Sequence, residues 1–200
     1  MHIYPHINKL GGVCSVSKIK THYKEPLGYY NLAHFIKDHL DDNTIIVCIG
    51  TDRCIGDCLG PLVGTYLKER FFPLPVYGTI SEPIHALNLE ARLAEIKLAH
   101  PNCKIIGIDA CLGPFSSIGE IQVRNYPINP GKGVGKILPP VGDISIIGIV
   151  DSSDDDEPFT TRNIRLNLIV QLSKVITHSL MHAYYLSFQH KEVSAIEEAK

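Results

Sequence analysis

Ile45-Ile46-Val47-Cys48-Ile49-Gly50, the loop Thr51-Asp52-Arg53-Cys54-Ile55-Gly56-Asp57-Cys58-Leu59-Gly60-Pro61 behind it, and the later run Lys104-Ile105-Ile106-Gly107-Ile108-Asp109-Ala110 decide the fold. Both apolar runs are β-branched, short, and bounded by glycine or polar residues. Such runs read as strands buried on both faces, which belong in parallel sheets covered by helices. Each is followed or ended by an aspartate, Asp57 or Asp109. In an open α/β sheet, ligands bind outside the carboxyl ends of the strands, at the point where strand order reverses. The expectation is that the two acids meet there.

Working outward, Leu32, Phe35, Ile36 and Leu40 recur at helical spacing over about 29–40. A helix is expected from near Asp57 to Arg70, followed by a short strand over Val76–Ile80. Pro83 then opens a further helix, as proline does in a first turn. The alternation of Gly119–Tyr126 predicts a strand with one wetter face, at an antiparallel edge. The Gly- and Pro-rich stretch Tyr126–Pro140 reads as a loop, and Asp143–Val150 as a final buried strand. A long helix, capped at Thr160 or Thr161, should run to about Phe188, with a frayed tail over Gln189–Lys200. Residues 1–26 have no clear period and read as an irregular N-terminal arm. Residues 27–200 read as a single α/β domain, a three-layer α/β/α sandwich on a mostly parallel central sheet.

The bulk numbers exclude several classes. Formal net charge is −2, so there is no basic footprint for nucleic acid. No apolar run approaches the length that spans a bilayer, and the N-terminus does not read as a signal peptide. Cys14, Cys48, Cys54, Cys58, Cys103 and Cys111 fall largely in or beside the buried runs, which suits reduced thiols in a cytoplasm rather than a disulfide framework. The Cys54-x3-Cys58 spacing fits neither a redox pair nor a zinc ribbon.

Two carboxyls within a few ångströms cannot both ionise easily, so one proton is shared and their pKa values split. The ionised member can take a proton from water while the protonated one donates to a peptide carbonyl or leaving amine. The bland alternative for Asp57 is a helix cap, since aspartate is favoured there. Asp109, expected at a strand end, is harder to explain structurally, since a carboxylate there gains little from a solvated turn.

Gly56-Asp57-Cys58-Leu59-Gly60-Pro61 resembles the first acidic motif of the bacterial spore germination protease, and Ile108-Asp109-Ala110 resembles its second. Pro130-Gly131-Lys132-Gly133-Val134-Gly135-Lys136 resembles that family's Gly-rich loop. Over roughly Thr44 to Leu186 the chain is most similar to the YyaC-type sporulation proteins, and more distantly to the hydrogenase maturation endopeptidases. The resemblance implies a hydrogenase-maturation-peptidase-like (phosphorylase/hydrolase-like) fold. It implies an endopeptidase, a protein or peptide substrate, and the cytoplasm of a spore-forming bacterium. It assigns Asp57 and Asp109 as the catalytic acids. The hydrogenase peptidases add a metal-binding histidine before the last strand, but Ile128–Val141 contains no histidine and carries Lys132 and Lys136. No metal or other cofactor is therefore expected. Two further readings stay open: an inactive sporulation binding or regulatory protein on this fold, and a metal-dependent maturation peptidase. Self-association as a homo-oligomer is also left open.

Thr51, Asp52, Glu82, Gly131 and Lys132 are candidates for the substrate cleft by position alone. Thr51 and Asp52 can equally serve turn hydrogen bonds, and Glu82 can sit at a helix start. The Gly131-Lys132-Gly133 loop can cradle an anion or a peptide backbone, but it lacks the pattern of a nucleotide phosphate loop. His178 and His182 lie four apart but lack the glutamate of a metalloprotease helix, so they read as helix-face residues. Asp154-Asp155-Asp156-Glu157 reads as a solvated turn.

Overall fold

A computed structural model describes residues 18–130, 138–154, 157 and 161–198, with 189–198 described by their backbone only. Its strands are β1 (Lys18–His22), β2 (Thr44–Cys48), β3 (Val76–Tyr77), β4 (Lys104–Gly113), β5 (Glu120–Arg124) and β6 (Ile144–Ser152). Its helices are α1 (Gly28–Ile36), α2 (Leu59–Glu69), α3 (Leu89–Ala99) and α4 (Leu166–Glu198). The strands form one sheet in the order β1-β5-β6-β4-β2-β3. β3, β2, β4 and β6 run parallel, whereas β5 is antiparallel to both of its neighbours, β6 and β1. The fold is thus α/β on a mixed, mostly parallel sheet. β2 lies between β3 and β4, so strand order reverses there.

Each face of the sheet has its own core. Ile46, Cys48, Ile106, Ile108, Ile144 and Ile146 pack under α1, α2 and α4. Ile45, Val47, Ile49, Ile105, Ile147 and Ile149 pack under Leu89, Leu93 and Ile96 of α3. The uninterrupted β-branched runs are what allow β2 and β6 to feed both cores at once, since side chains alternate between faces. A fully buried side chain of this size contributes roughly 1.5–3 kcal/mol.

Several boundaries differ from the sequence reading. The irregular arm contains a strand, Lys18–His22, which pairs with β5 from Lys18↔Arg124 to His22↔Glu120. The remainder, 1–17, lies outside the described residues. β1 also covers β5, so the 120–124 strand is antiparallel as expected but is not the sheet edge. Its signal was hidden because a short edge strand alternating Lys, Ile and Thr has one exposed face and little apolar content. Pro83 does not open a helix. Ile84 instead makes a parallel bridge with Ile49, and Asn88 takes up the turn by bonding the Pro83 carbonyl at 3.0 Å and the His85 N–H at 2.8 Å. α4 begins at Leu166 and continues through residue 198 rather than fraying at Gln189. Thr160, the expected cap, lies outside the described residues, as do Cys14, Gly131, Lys132, Asp155 and Asp156.

The carboxyl end of β6 is fixed by a buried cation. Arg162, with only 3% of its side chain exposed, reaches Asp151 Oδ2 at 3.2 Å and donates to the Ser152 carbonyl at 2.7 Å. Removing one member of a buried pair strands the other charge. Arg162→Ala is expected to lower unfolding free energy by about 3–5 kcal/mol, measured by urea denaturation, whereas an exposed pair such as Arg92–Glu95 should cost under about 1 kcal/mol.

Candidate active site

The loop after β2 is held by close backbone packing. Gly50 has φ +136°, and a Cβ there would lie 2.0 Å from the Asp57 carbonyl oxygen. The same carbonyl accepts the Thr51 N–H at 3.1 Å, and the Asp57 N–H donates to Cys54 at 3.0 Å. Ile55–Cys58 form one 3-10 turn running directly into α2. At Gly60 a Cβ would meet the Ile49 carbonyl at 2.1 Å, so only glycine lets the start of α2 lie against the end of β2. Asp57 lies inside the 3-10 turn, and the N-cap of α2 is Cys58, so Asp57 is not the capping residue of α2.

The 3-10 turn contacts β4, the strand that carries Asp109. Asp109 is placed differently from the sequence expectation: it is interior to β4, which runs on to Gly113 paired with β6. What ends near Asp109 is the neighbour. The β2–β4 ladder stops at Cys48↔Ile108, with a last bond from the Ile49 N–H to the Ile108 carbonyl at 2.7 Å. Asp109 is thus the first residue of β4 beyond β2, at the point of strand-order reversal, beside the Asp57 turn. Its Oδ1 accepts the Ala110 N–H at 2.8 Å.

The electrostatics of the two carboxyls are linked. Burial pushes the Asp57 pKa up to about 6, opposed by a hydrogen bond from the Thr51 backbone. Asp109 is held well above the ordinary carboxylate range, first by burial and then by the negative charge of Asp57, with the Ala110 N–H pulling the other way. Burial, joined by the charges of Asp52 and Asp57, likewise raises the Cys58 thiol. Asp57 acts on Asp109 through its charge, so the two carboxyls titrate as a linked pair.

The other candidates divide. Thr51 is in the loop, its Oγ1 accepting the Arg53 N–H at 3.3 Å, a turn role. Asp52 is exposed next to it. Glu82 is exposed and reaches Lys68 of α2 at 3.8 Å, and α3 begins only at Leu89, so it is not a first-turn residue. Among the described residues no three His, Cys, Asp or Glu side chains are grouped as metal ligands. His178 and His182 face Tyr29 of α1 at ring distances of 6.4 and 5.9 Å. Among the described residues, hollows elsewhere include one of about 370 Å³ near Tyr23, Asp151 and Arg165 and another of about 450 Å³ by these histidines. Cys48, Cys58 and Cys103 are free thiols. The sequence reading missed the stretch after Asp109. The continued run Ala110-Cys111-Leu112-Gly113 was the available signal that the strand did not stop there.

Against known proteins, the family described as "Protein of unknown function (DUF1256)" matches residues 20–179. The chain is 46% identical over 137 residues to "Uncharacterized protein YyaC" of Bacillus subtilis (strain 168), covering 68% of this chain and 67% of that protein. No helix among the described residues is long and apolar enough to cross a membrane. The extent of the match, from the end strand of the sheet into the middle of α4, means that the chain belongs to the DUF1256 family.

Proposed function

We propose that this protein is a peptidase that hydrolyses peptide bonds with Asp57 and Asp109 as a paired acid and base. One observation carries the reading: an aspartate in mid-sheet at the switch point, next to the Asp57 turn, whose proton affinity is raised first by burial and then by the charge of that second aspartate. Asp109, the more strongly raised member, donates its proton to the carbonyl oxygen or leaving amine. Asp57, ionised above about pH 6, takes a proton from the attacking water. No covalent intermediate is required. The resemblance of both acidic motifs to the germination protease supports the same assignment and suggests a cytoplasmic role in sporulation.

The test is incubation with a random decapeptide library and mass-spectrometric detection of new amino termini. The wild type should cut, and Asp57→Asn and Asp109→Asn should not; equal cutting by all three would sink the proposal. The pH dependence follows from the two shifts. Activity should rise as pH passes about 6, where Asp57 loses its proton, and fall at higher pH as Asp109 loses its own. A profile flat from pH 5 to 8 would contradict these roles. A non-catalytic binding protein on the same fold is the second reading; among the described residues, hollows near Tyr23 and Asp151 and beside His178 and His182 lie away from the acids and could receive a partner. It predicts retention of peptides without cutting.

A further inference from the structure

We propose that the part of β4 beyond Ile108 is a strand-addition site, on which an extended polypeptide pairs edge to edge and is thereby laid across Asp109. The inference deepens the peptidase reading and rests on it for the statement that the occupant is substrate.

β4 is a central strand, yet only its first half has two neighbours. β6 accompanies it from Ile106↔Ile144 to Gly113↔Ser152, whereas β2 leaves after Cys48↔Ile108. Burial follows the same division. Ile105, Gly107 and the residues between them are buried, while Asp109, Ala110, Cys111 and Leu112 are each half-exposed. β6, alongside, is buried almost throughout. The direction of the peptide groups can be read from flanking bonds. The Ile108 carbonyl faces β2, accepting the Ile49 N–H, and the Gly113 carbonyl faces β6, accepting the Ser153 N–H at 2.7 Å. Alternation then turns the peptide groups of Ala110 and Leu112 to the side that β2 has vacated.

Two of these groups are already engaged locally: the Ala110 N–H by Asp109 Oδ1 and the Leu112 carbonyl by the Cys111 thiol at 3.1 Å. Among the described residues no strand pairs with β4 on this side after Ile108, which leaves the Ala110 carbonyl and the Leu112 N–H as an acceptor and a donor at strand spacing. An open row of this kind is a template for another chain. The occupant is an extended, unfolded segment rather than a helix, because only a strand presents donors and acceptors at this repeat. Its side chains would meet Ile55, 46% exposed on the Asp57 turn, and Phe115, 74% exposed just past β4. Residues with large apolar side chains near the scissile bond are therefore the preferred class.

The experiment uses the full chain carrying both Asp57→Asn and Asp109→Asn, which holds peptides without cutting them, and the random decapeptide library as probe. The best-retained decapeptide is then remade with a single backbone N-methyl group at each position in turn. Strand addition predicts one sensitive position: methylation of the residue whose N–H meets the Ala110 carbonyl weakens retention about tenfold or more, the loss of one hydrogen bond, and methylation of its immediate neighbours does not. Leu112→Pro, which removes the N–H on the open side, should weaken retention similarly. N-methylation tolerated at all positions, or no decapeptide retained, overturns the proposal even if the Pro variant fails to fold. A single sensitive position in a peptide that the wild type never cuts supports strand addition and removes the peptidase reading. Cutting by the wild type with no sensitive position does the reverse.

Discussion

Asp109→Asn is expected to reduce peptide hydrolysis roughly a thousandfold, within the range that a general acid or base contributes, without loss of fold. Asp57→Asn should do the same by removing the base. Stability supplies the control. Both carboxyls bind protons more tightly in the folded chain than in the unfolded one. Their contribution to stability is therefore fully present below the unfolded carboxyl pKa, near 4, and is lost as pH rises through the folded values. For Asp57 that loss centres on about pH 6, and for Asp109 it extends further upward. The asparagine variants do not titrate. At pH 8 each should melt at or above the wild-type temperature, and the difference should disappear near pH 4. Thermal melts at both pH values check this. Lost activity accompanied by lost stability at pH 8 would mean that the acids are structural.

The second large effect is expected from Gly50→Ala. A Cβ at this position would sit 2.0 Å from the Asp57 carbonyl, at φ +136°, where L-residues are strained. Neither the carbonyl nor the φ can relax cheaply, because the same oxygen accepts the Thr51 N–H and the Gly50 N–H donates to Ile84 at 2.8 Å. Strain and overpacking together should cost about 3 kcal/mol or more. That corresponds to a fall in Tm of roughly 6–12 °C for a chain of this size. The loop that shifts is the one that positions Asp57, so activity should fall by more than the unfolded fraction explains. A variant that melts like the wild type would show that the loop is not held through Gly50.

Much of this was legible in the chain because the strands that matter are the most apolar ones. Ile45–Ile49, Ile105–Ile108 and Ile144–Val150 are buried on both faces, and burial is what a continuous β-branched run encodes. Strand adjacency followed from fold class, and the neighbouring positions of β2 and β4 agree with it. What could not be read were features set by partners distant in sequence. β1 is a strand because β5 offers a free edge, a fact absent from Lys18–His22 itself. Pro83 suggested a helix start, but the local chain is committed to the Ile49↔Ile84 bridge. Asp109 ended a predicted strand because a charge ordinarily does. In the folded chain it is the neighbour, β2, that stops there, so the charge lies in a strand interior at the one place where the sheet opens.

The account depends on a proton held between two neighbouring carboxyls. Carbon-detected NMR titration of selectively labelled aspartates, in the wild type and in Asp57→Asn, tests that most directly. The account predicts that Asp57 and Asp109 titrate in linked steps at or above about pH 6, and that Asp57→Asn lowers the Asp109 midpoint by removing the neighbouring charge. Independent midpoints near 4 for both residues, with Asp109 indifferent to the substitution at Asp57, would contradict it.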